Sequence, residues 1–260
     1  MMAITRKTIL NPSAVEYADY AINHVQGCAH GCQYPCYAFN MQKRFKDGLK
    51  TFGEWRQPRI VANALELLDK ELPRKRDRIE CVHLCFMTDP FMVGYPEVTD
   101  LSLEILGKLH VAGVKAQTLT KAITPADLFD LETYGSDNFY GITLVSLDER
   151  FRQRFEPYSA PYKDRIRAIA ELHDAGLKTW VSIEPYPTPN IVKQELFDLF
   201  DAVGFVDRIV FGRWNYSPLV TVFKDEKFHD ARRFYADAAF DVTDFCDSMG
   251  IEVHIKEKTA

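Results

Sequence analysis

Three stretches of this chain repeat one short plan, and that repetition narrows the folds open to it. "LHVAGVKAQTLTK" at 109–121 echoes "LHDAGLKTWVSIE" at 172–184, and "CDSMGIEVHIKE" at 246–257 is a weaker third copy. Each has a helix-like end, then a glycine, then a β-rich run. Glycine is the usual left-handed stop after a helix, so Gly113, Gly176 and Gly250 mark three helix-to-strand junctions. Further β-branched and aromatic runs predict strands at 20–26, 79–86, 114–119, 139–145, 177–183, 207–211 and 251–255.

Helical patterns fill the gaps between these strands. Pro58 stands near the start of one, with Ile60, Val61, Ala64, Leu67 and Leu68 as its apolar stripe. Asp100 can cap the next, with Leu101, Ile105 and Leu109 on one face. Thr124-Pro125 opens another, Ile166, Ile169 and Ala170 line a fourth, and 191–202 and 228–249 supply two more. Strands alternating with helices pair in parallel through right-handed crossovers. The expected fold is therefore α/β, a full or partial (β/α) barrel, with an open doubly wound sheet as the alternative. The 260 residues carry no low-complexity linker, so a single domain over 1–260 is expected, with an insertion near 38–78 where the chain is too long for a simple crossover.

The first twenty residues hold no long apolar run, which argues against a secretory leader or a membrane span and makes the cytoplasm the expected address. A formal charge of −5 does not suggest broad nucleic-acid binding. Six cysteines are few for a disulfide scaffold of this length, and in a reducing compartment clustered ones read as metal or catalytic ligands.

Half of them stand in "GCAHGCQYPCYAFN" at 27–40, as Cys28, Cys32 and Cys36. On a helix the three would share one face. Gly27, Gly31 and Pro35 oppose that, and the stretch follows a predicted strand, so a loop at the strand's C-terminal end is expected. In a barrel, that end is the active face. Three thiolates suit zinc, with His30 or His24 as the fourth ligand, or a cubane iron–sulfur cluster that keeps one iron open for substrate or cofactor.

"GCAHGCQYPCYAF" resembles the cysteine signature of the radical S-adenosylmethionine family. Most members space their cysteines by three and then two residues; here Pro35 adds one, giving two gaps of three. "MTDPF" (87–91), "TLTKAITPADL" (118–128) and "ITLVSLDERFRQRFEP" (142–157) with "APYKDRIRAIAELHDAG" (160–176) are similar, in the same order, to segments of the spore photoproduct lyase-like branch. The likeness spans roughly 20–190; the part beyond about 190 carries no recognised signature. The resemblance implies a partial or near-complete (β/α) barrel of the radical SAM type, with a 4Fe–4S cluster on Cys28, Cys32 and Cys36. It implies S-adenosylmethionine chelated at the open iron, and a flavodoxin or ferredoxin-type reductant. A 5′-deoxyadenosyl radical would then abstract hydrogen from a small molecule, a peptide or a nucleic acid.

The same resemblance assigns Tyr34 to the adenine, Lys121 to the methionine carboxylate and Ser146 to a cofactor contact. Each has a plainer reading. Lys121 could be a solvated lysine; Ser146-Leu147-Asp148-Glu149 is a capping-box pattern; Thr88 and Asp89, also cofactor candidates, could form a turn before Pro90. Glu184 follows a strand and could hold a ribose hydroxyl or the substrate, and Arg213, Asn215 and Lys256 stand at comparable strand ends. Arg165 is expected on a solvated helix face. Cys85 could return a hydrogen atom to product or be a buried structural thiol; Cys81 and Cys246 read as structural. Two basic runs, 43–50 and 74–78, read as solvated faces, the first with the option of attracting an anionic substrate or an acidic electron donor. The alternatives left open are a nucleic-acid repair or modification lyase and a non-catalytic zinc-binding interaction protein.

Overall fold

In the computed structural model, which describes residues 1–260 except 15, 35, 47, 258 and 260, the three glycine stops are built alike. Gly113, Gly176 and Gly250 have φ of 68°, 82° and 70°. After each, the next residue's N–H returns to the helix: Val114 to the Leu109 carbonyl at 2.9 Å, Leu177 to Leu172 at 3.1 Å, Ile251 to Cys246 at 2.9 Å. All six of those side chains are buried, so each junction is a hydrogen-bonded turn sealed by an apolar contact.

The strands in chain order are β1 (Met2–Ile4), β2 (Leu10–Pro12), β3 (Tyr20–Ile22), β4 (Val25–Gln26), β5 (Arg59–Val61), β6 (Cys81–Leu84), β7 (Lys115–Thr120), β8 (Phe139–Thr143), β9 (Lys178–Tyr186), β10 (Arg208–Arg213) and β11 (Glu252–Ile255). The helices are α1 (Tyr37–Gln42), α2 (Phe52–Trp55), α3 (Ala64–Lys75), α4 (Pro96–Val111), α5 (Leu131–Tyr134), α6 (Glu149–Phe155), α7 (Tyr162–Asp174), α8 (Leu196–Val203), α9 (Pro218–Thr221) and α10 (Ala231–Met249). Eight strands form one sheet in the order β11-β10-β9-β8-β7-β6-β3-β2, parallel except for β2 against β3. The sheet has two free ends, so the barrel is partial and does not close. The seven predicted strands all lie in the structure, though 20–26 splits: β3 joins the large sheet, and β4 peels away to pair with β5 and, through it, β1.

Four helix expectations change. Residues 59–61 are strand, because β5 is claimed by β1 and β4, and the helix begins only at Ala64. Asn63 is held by Arg6 through reciprocal backbone bonds of 3.0 and 2.9 Å, a contact between residues 57 apart. Asp100 lies inside α4, which starts at Pro96. The Thr124-Pro125 start yields a 3-10 turn, Ala126–Phe129, and then α5 under an Asp130 cap. Ser146 is not the cap of α6: Asp148 is, accepting the Arg150 N–H at 2.8 Å, while Ser146 Oγ accepts from the Asp148 N–H at 3.1 Å.

The core lies between sheet and helices, where Ile105, Leu106 and Leu109 of α4, Ile169 and Leu172 of α7 and Val242 of α10 are buried. The opposite face of the sheet lines the half-barrel. Alternate residues point there, and near the strand starts Tyr17 fills it. Its ring lies 5.6 Å from Trp180, 6.1 Å from His83 and 5.7 Å from His254. Glu16 beside it joins β11 through Lys256 at 2.6 Å. No helix among the described residues is long and apolar enough to cross a membrane.

Candidate functional site

The loop between β4 and α1 carries the three cysteines, and it is not helical: only after Cys36, the N-terminal flanking residue of α1, does helix begin. Pro35, whose insertion alters the spacing, lies outside the described residues. Gly27 (φ +89°) brings the loop against α2, where an added Cβ would stand 2.7 Å from the Trp55 carbonyl oxygen. The Cys28 N–H donates to that same oxygen at 2.8 Å. We expect Gly27→Ala to combine backbone strain of about 1–3 kcal/mol with loss of this contact. The measurable result is a reconstituted protein with less bound iron than wild type at equal expression.

All three cysteines are free and half-buried. Burial pushes the Cys28 thiol up, with the Asp89 charge next and the other two cysteines adding. Burial likewise pushes Cys32 up to about 12, which Lys121 counteracts. Burial also raises Cys36. Such thiols stay protonated until a metal takes the proton's place. Among the described residues no three His, Cys, Asp or Glu side chains are grouped for a single metal ion. The histidines proposed to complete a zinc site are engaged elsewhere. His30 Nδ1 donates to Asp89 at 3.3 Å while its Nε2 accepts the Val93 N–H at 3.4 Å. His24 Nε2 is 2.7 Å from Ser102 Oγ.

Two buried carboxylates organise the mouth of the half-barrel. Asp89, in the loop after β6, accepts from Thr120 Oγ1 at 2.7 Å, the Lys121 N–H at 2.8 Å, the Phe91 N–H at 2.9 Å and His30. Through those four bonds Asp89, a cofactor candidate from the sequence, braces the cysteine loop against the end of β7. Glu156, in the turn after α6, is fully buried. It takes Lys121 Nζ at 2.6 Å, Arg165 Nη2 at 3.0 Å and the Tyr34 hydroxyl at 2.8 Å. Burial alone would raise its pKa; the two cations overcome that and hold it at about 2.

Arg165, expected on a solvated face, is fully buried. Its guanidinium also donates to the Ala160 carbonyl at 2.9 Å, the Thr143 carbonyl at 2.8 Å and Ser159 Oγ. Two cations thus share one carboxylate beside Cys32, and Lys121, bonded to a single Glu156 oxygen, keeps N–H donors that suit an anionic guest. Glu156 carried no role in the sequence reading. Its one signal was its place in "RFEP", between α6 and a proline, where nothing local requires a carboxylate.

Other candidates scatter along the mouth. Tyr34 is buried, edge-on to Trp214 at 5.2 Å, with Lys121 Nζ 5.4 Å from its ring centroid. Ser146 is buried at the start of the turn into α6. Thr88 N–H closes a turn on the Cys85 carbonyl at 2.9 Å. Glu184, on the inner face of β9, has no hydrogen-bond partner among the described residues. Burial raises its pKa against the pull of Lys256. Gly212 opposite makes room for it: a Cβ there would stand 2.8 Å from the Glu184 side chain. Arg213 Nε donates to Asn215 at 2.7 Å. Cys85 is buried with its sulfur 3.5 Å from His24 Nδ1, in a pocket shared with Val25, Met92 and Cys28. Cys81 begins β6, and Cys246 is buried in α10.

Residues 22–203 match the sequence family described as the Radical SAM superfamily. The chain is 27% identical over 206 residues to the uncharacterised protein ORF301 of Acidianus two-tailed virus, covering 74% of this chain and 67% of that protein. It is 25% identical over 199 residues to the uncharacterised protein MJ0683 of Methanocaldococcus jannaschii, covering 75% and 70%. Among solved structures, spore photoproduct lyase complexed with dinucleoside spore photoproduct superimposes with a TM-score of 0.69 at 15% identity, over 96% of this chain and 80% of that one. A double mutant of that lyase with bound AdoMet and the same dinucleoside gives 0.71 at 15% identity, over the same shares. At these identities the structural likeness speaks for the fold.

Proposed function

The chain belongs to the radical SAM superfamily, whose cofactors are a 4Fe–4S cluster and S-adenosylmethionine and whose members need an external reductant, and from that premise we propose that it is a hydrogen-abstracting enzyme of that class. When bound, the two cofactors supply a one-electron cleavage of the sulfonium that yields methionine and a 5′-deoxyadenosyl radical. Cys28, Cys32 and Cys36 would hold the cluster, and the donor set fits it: three soft thiol ligands on a non-helical loop, beside the Lys121 ammonium, with His24 and His30 both engaged in other hydrogen bonds. Lys121 retains donors beyond its bond to Glu156 and stands at the strand end where a methionine carboxylate would be met. Glu156 fixes Lys121 and Tyr34 in place, and Asp89 fixes the backbone of both the loop and β7. Ser146, Thr88 and Glu184 complete the mouth as cofactor or substrate contacts, and Cys85, sealed against His24, would need exposure before giving hydrogen to a product.

The observation that carries this reading is the placement of the three cysteines on one non-helical loop beside the Lys121–Glu156–Arg165 network. Anaerobic reconstitution should give brown protein absorbing near ~400 nm that releases 5′-deoxyadenosine with dithionite and S-adenosylmethionine. Colourless protein with stoichiometric zinc would end the reading. A nucleic-acid lyase of the spore photoproduct lyase type is the second reading, supported by the likeness in fold to that lyase and tested by turnover of an ultraviolet-irradiated thymine dinucleotide.

A further inference from the structure

The segment that follows Cys36 stands out electrically from the rest of the chain. Residues 38–59 hold six Lys and Arg against two Asp and Glu, in a protein whose formal charge is −5. Lys43, Arg44, Lys46 and Lys50 are all exposed, and none of them has an ion-pair partner among the described residues. Single exposed lysines elsewhere, such as Lys7, Lys115 and Lys163, also lack an ion-pair partner among the described residues, so what sets this segment apart is four exposed cations within eight residues. Lys50 turns its ammonium inward to the carbonyls of Lys43 (3.1 Å) and Phe45, bracing the turn that presents the other three. Among these cations in sequence Phe45 is 54% exposed, an apolar side chain next to charged ones, as protein interfaces have.

Under the face lies one aromatic layer. Lys43 Nζ sits 4.6 Å from the Phe39 ring centroid, and that ring is 5.6 Å from Phe52 and 5.8 Å from Trp55. Trp55, with Ala38 and Leu49, packs directly against Cys28 and Cys36. Lys43 is thus linked to the cysteine loop through two rings in series, Phe39 and Trp55. We propose that the Lys43–Lys50 face is the docking surface for an acidic one-electron carrier protein, with the electron entering through the Phe39–Trp55 layer. The inference rests on the cluster reading above. The carrier's reduced cofactor loses one electron and the cluster gains it; no bond forms or breaks. Opposite charge steers such encounters and makes them salt-sensitive. Three outward cations beside one apolar ring match an acidic protein patch better than a duplex, whose binding draws on a longer row of phosphate contacts.

The test uses reduced flavodoxin as probe and the reconstituted protein carrying Lys43→Glu, Arg44→Glu and Lys46→Glu together. Titration of 15N-labelled flavodoxin gives a Kd that requires no electron transfer. Stopped-flow bleaching of the cluster gives reduction rates with flavodoxin and, separately, with dithionite. The expected result is binding and flavodoxin-driven reduction both weakened about tenfold or more, with dithionite reduction unchanged. The wild-type rate should fall as salt rises, and Arg74→Glu with Arg78→Glu should behave as wild type. Equal binding by wild type and the triple variant overturns the proposal, as does a salt-indifferent wild-type rate or equal slowing with dithionite. Loss of labelled duplex DNA binding with flavodoxin binding intact would assign the face to nucleic acid and overturn it too. Flavodoxin binding that depends on these residues, in a protein that takes up no iron, would support the docking face while ending the cluster reading.

Discussion

Replacing Cys32 by alanine should leave a folded chain that reconstitutes with little iron and releases no measurable 5′-deoxyadenosine. Cys32 is half-buried on a non-helical loop and packs on the edge of the main core, so removing its sulfur should cost about 1 kcal/mol of stability, the size of an ordinary point change. Its effect on the cluster should be far larger. Loss of an outer partner of a metal ligand already costs about 10–100-fold in metal affinity or activity, and loss of the ligand itself should exceed that. Iron and sulfide content, the spectrum of the reduced protein and nucleoside release by chromatography read the outcome together. Cys246→Ala is the matched comparison. That thiol is fully buried in α10, so its loss should lower the melting temperature and leave iron content unchanged. A Cys32→Ala protein with full iron and full turnover would remove this residue from the ligand set.

The second large effect is expected at Glu156. Glu156→Ala leaves Arg165 fully buried without its carboxylate, and breaking a buried pair from one side costs about 3–5 kcal/mol. Glu156→Gln keeps the volume but not the charge, and should also be strongly destabilised. Both variants release Tyr34 and Lys121, so S-adenosylmethionine should bind more weakly even where the fold survives at low temperature. The pH dependence has a definite sign. Glu156 is held below its ordinary 4.5, at about 2, so its folded state binds fewer protons than the unfolded chain. The stabilisation is fully present above about 4.5 and is lost as pH falls towards 2. Wild-type melting temperature should drop through that window, and part of the drop should be missing in Glu156→Gln. A Glu156→Gln protein as stable as wild type at pH 7, with the same acid profile, would show that the network does not anchor the mouth.

What could be read from the chain follows from how local each signal is. The glycine after a helix and the β-branched run behind it are settled within a few residues, so the three junctions and all seven predicted strands were visible in advance. The cysteine triplet was visible for the same reason, since glycines within it already disfavour helix. The errors fall where a distant segment decides. Residues 59–61 read as helix from their apolar spacing, yet β1 and β4 recruit them into a second sheet. Arg165 was expected on a solvated face, yet it is drawn inward by a carboxylate nine residues away in sequence. That Asp89 gathers four donors from three segments was likewise out of reach of its local motif. Glu156 went unseen because a carboxylate before a proline is unremarkable until two cations and a tyrosine close on it.

The amino-acid order by itself determined the alternation of strands and helices, the stops between them and the loop chemistry that points to a cluster. These depend on backbone conformation and on neighbours a few bonds apart. Tertiary structure alone decided that the sheet stays open, that Tyr17 fills its lower end, and that one buried carboxylate holds two cations beside Cys32. Burying a charge is tolerable only when its partners arrive together, and partners drawn from separate strands and turns are brought together only by the completed fold.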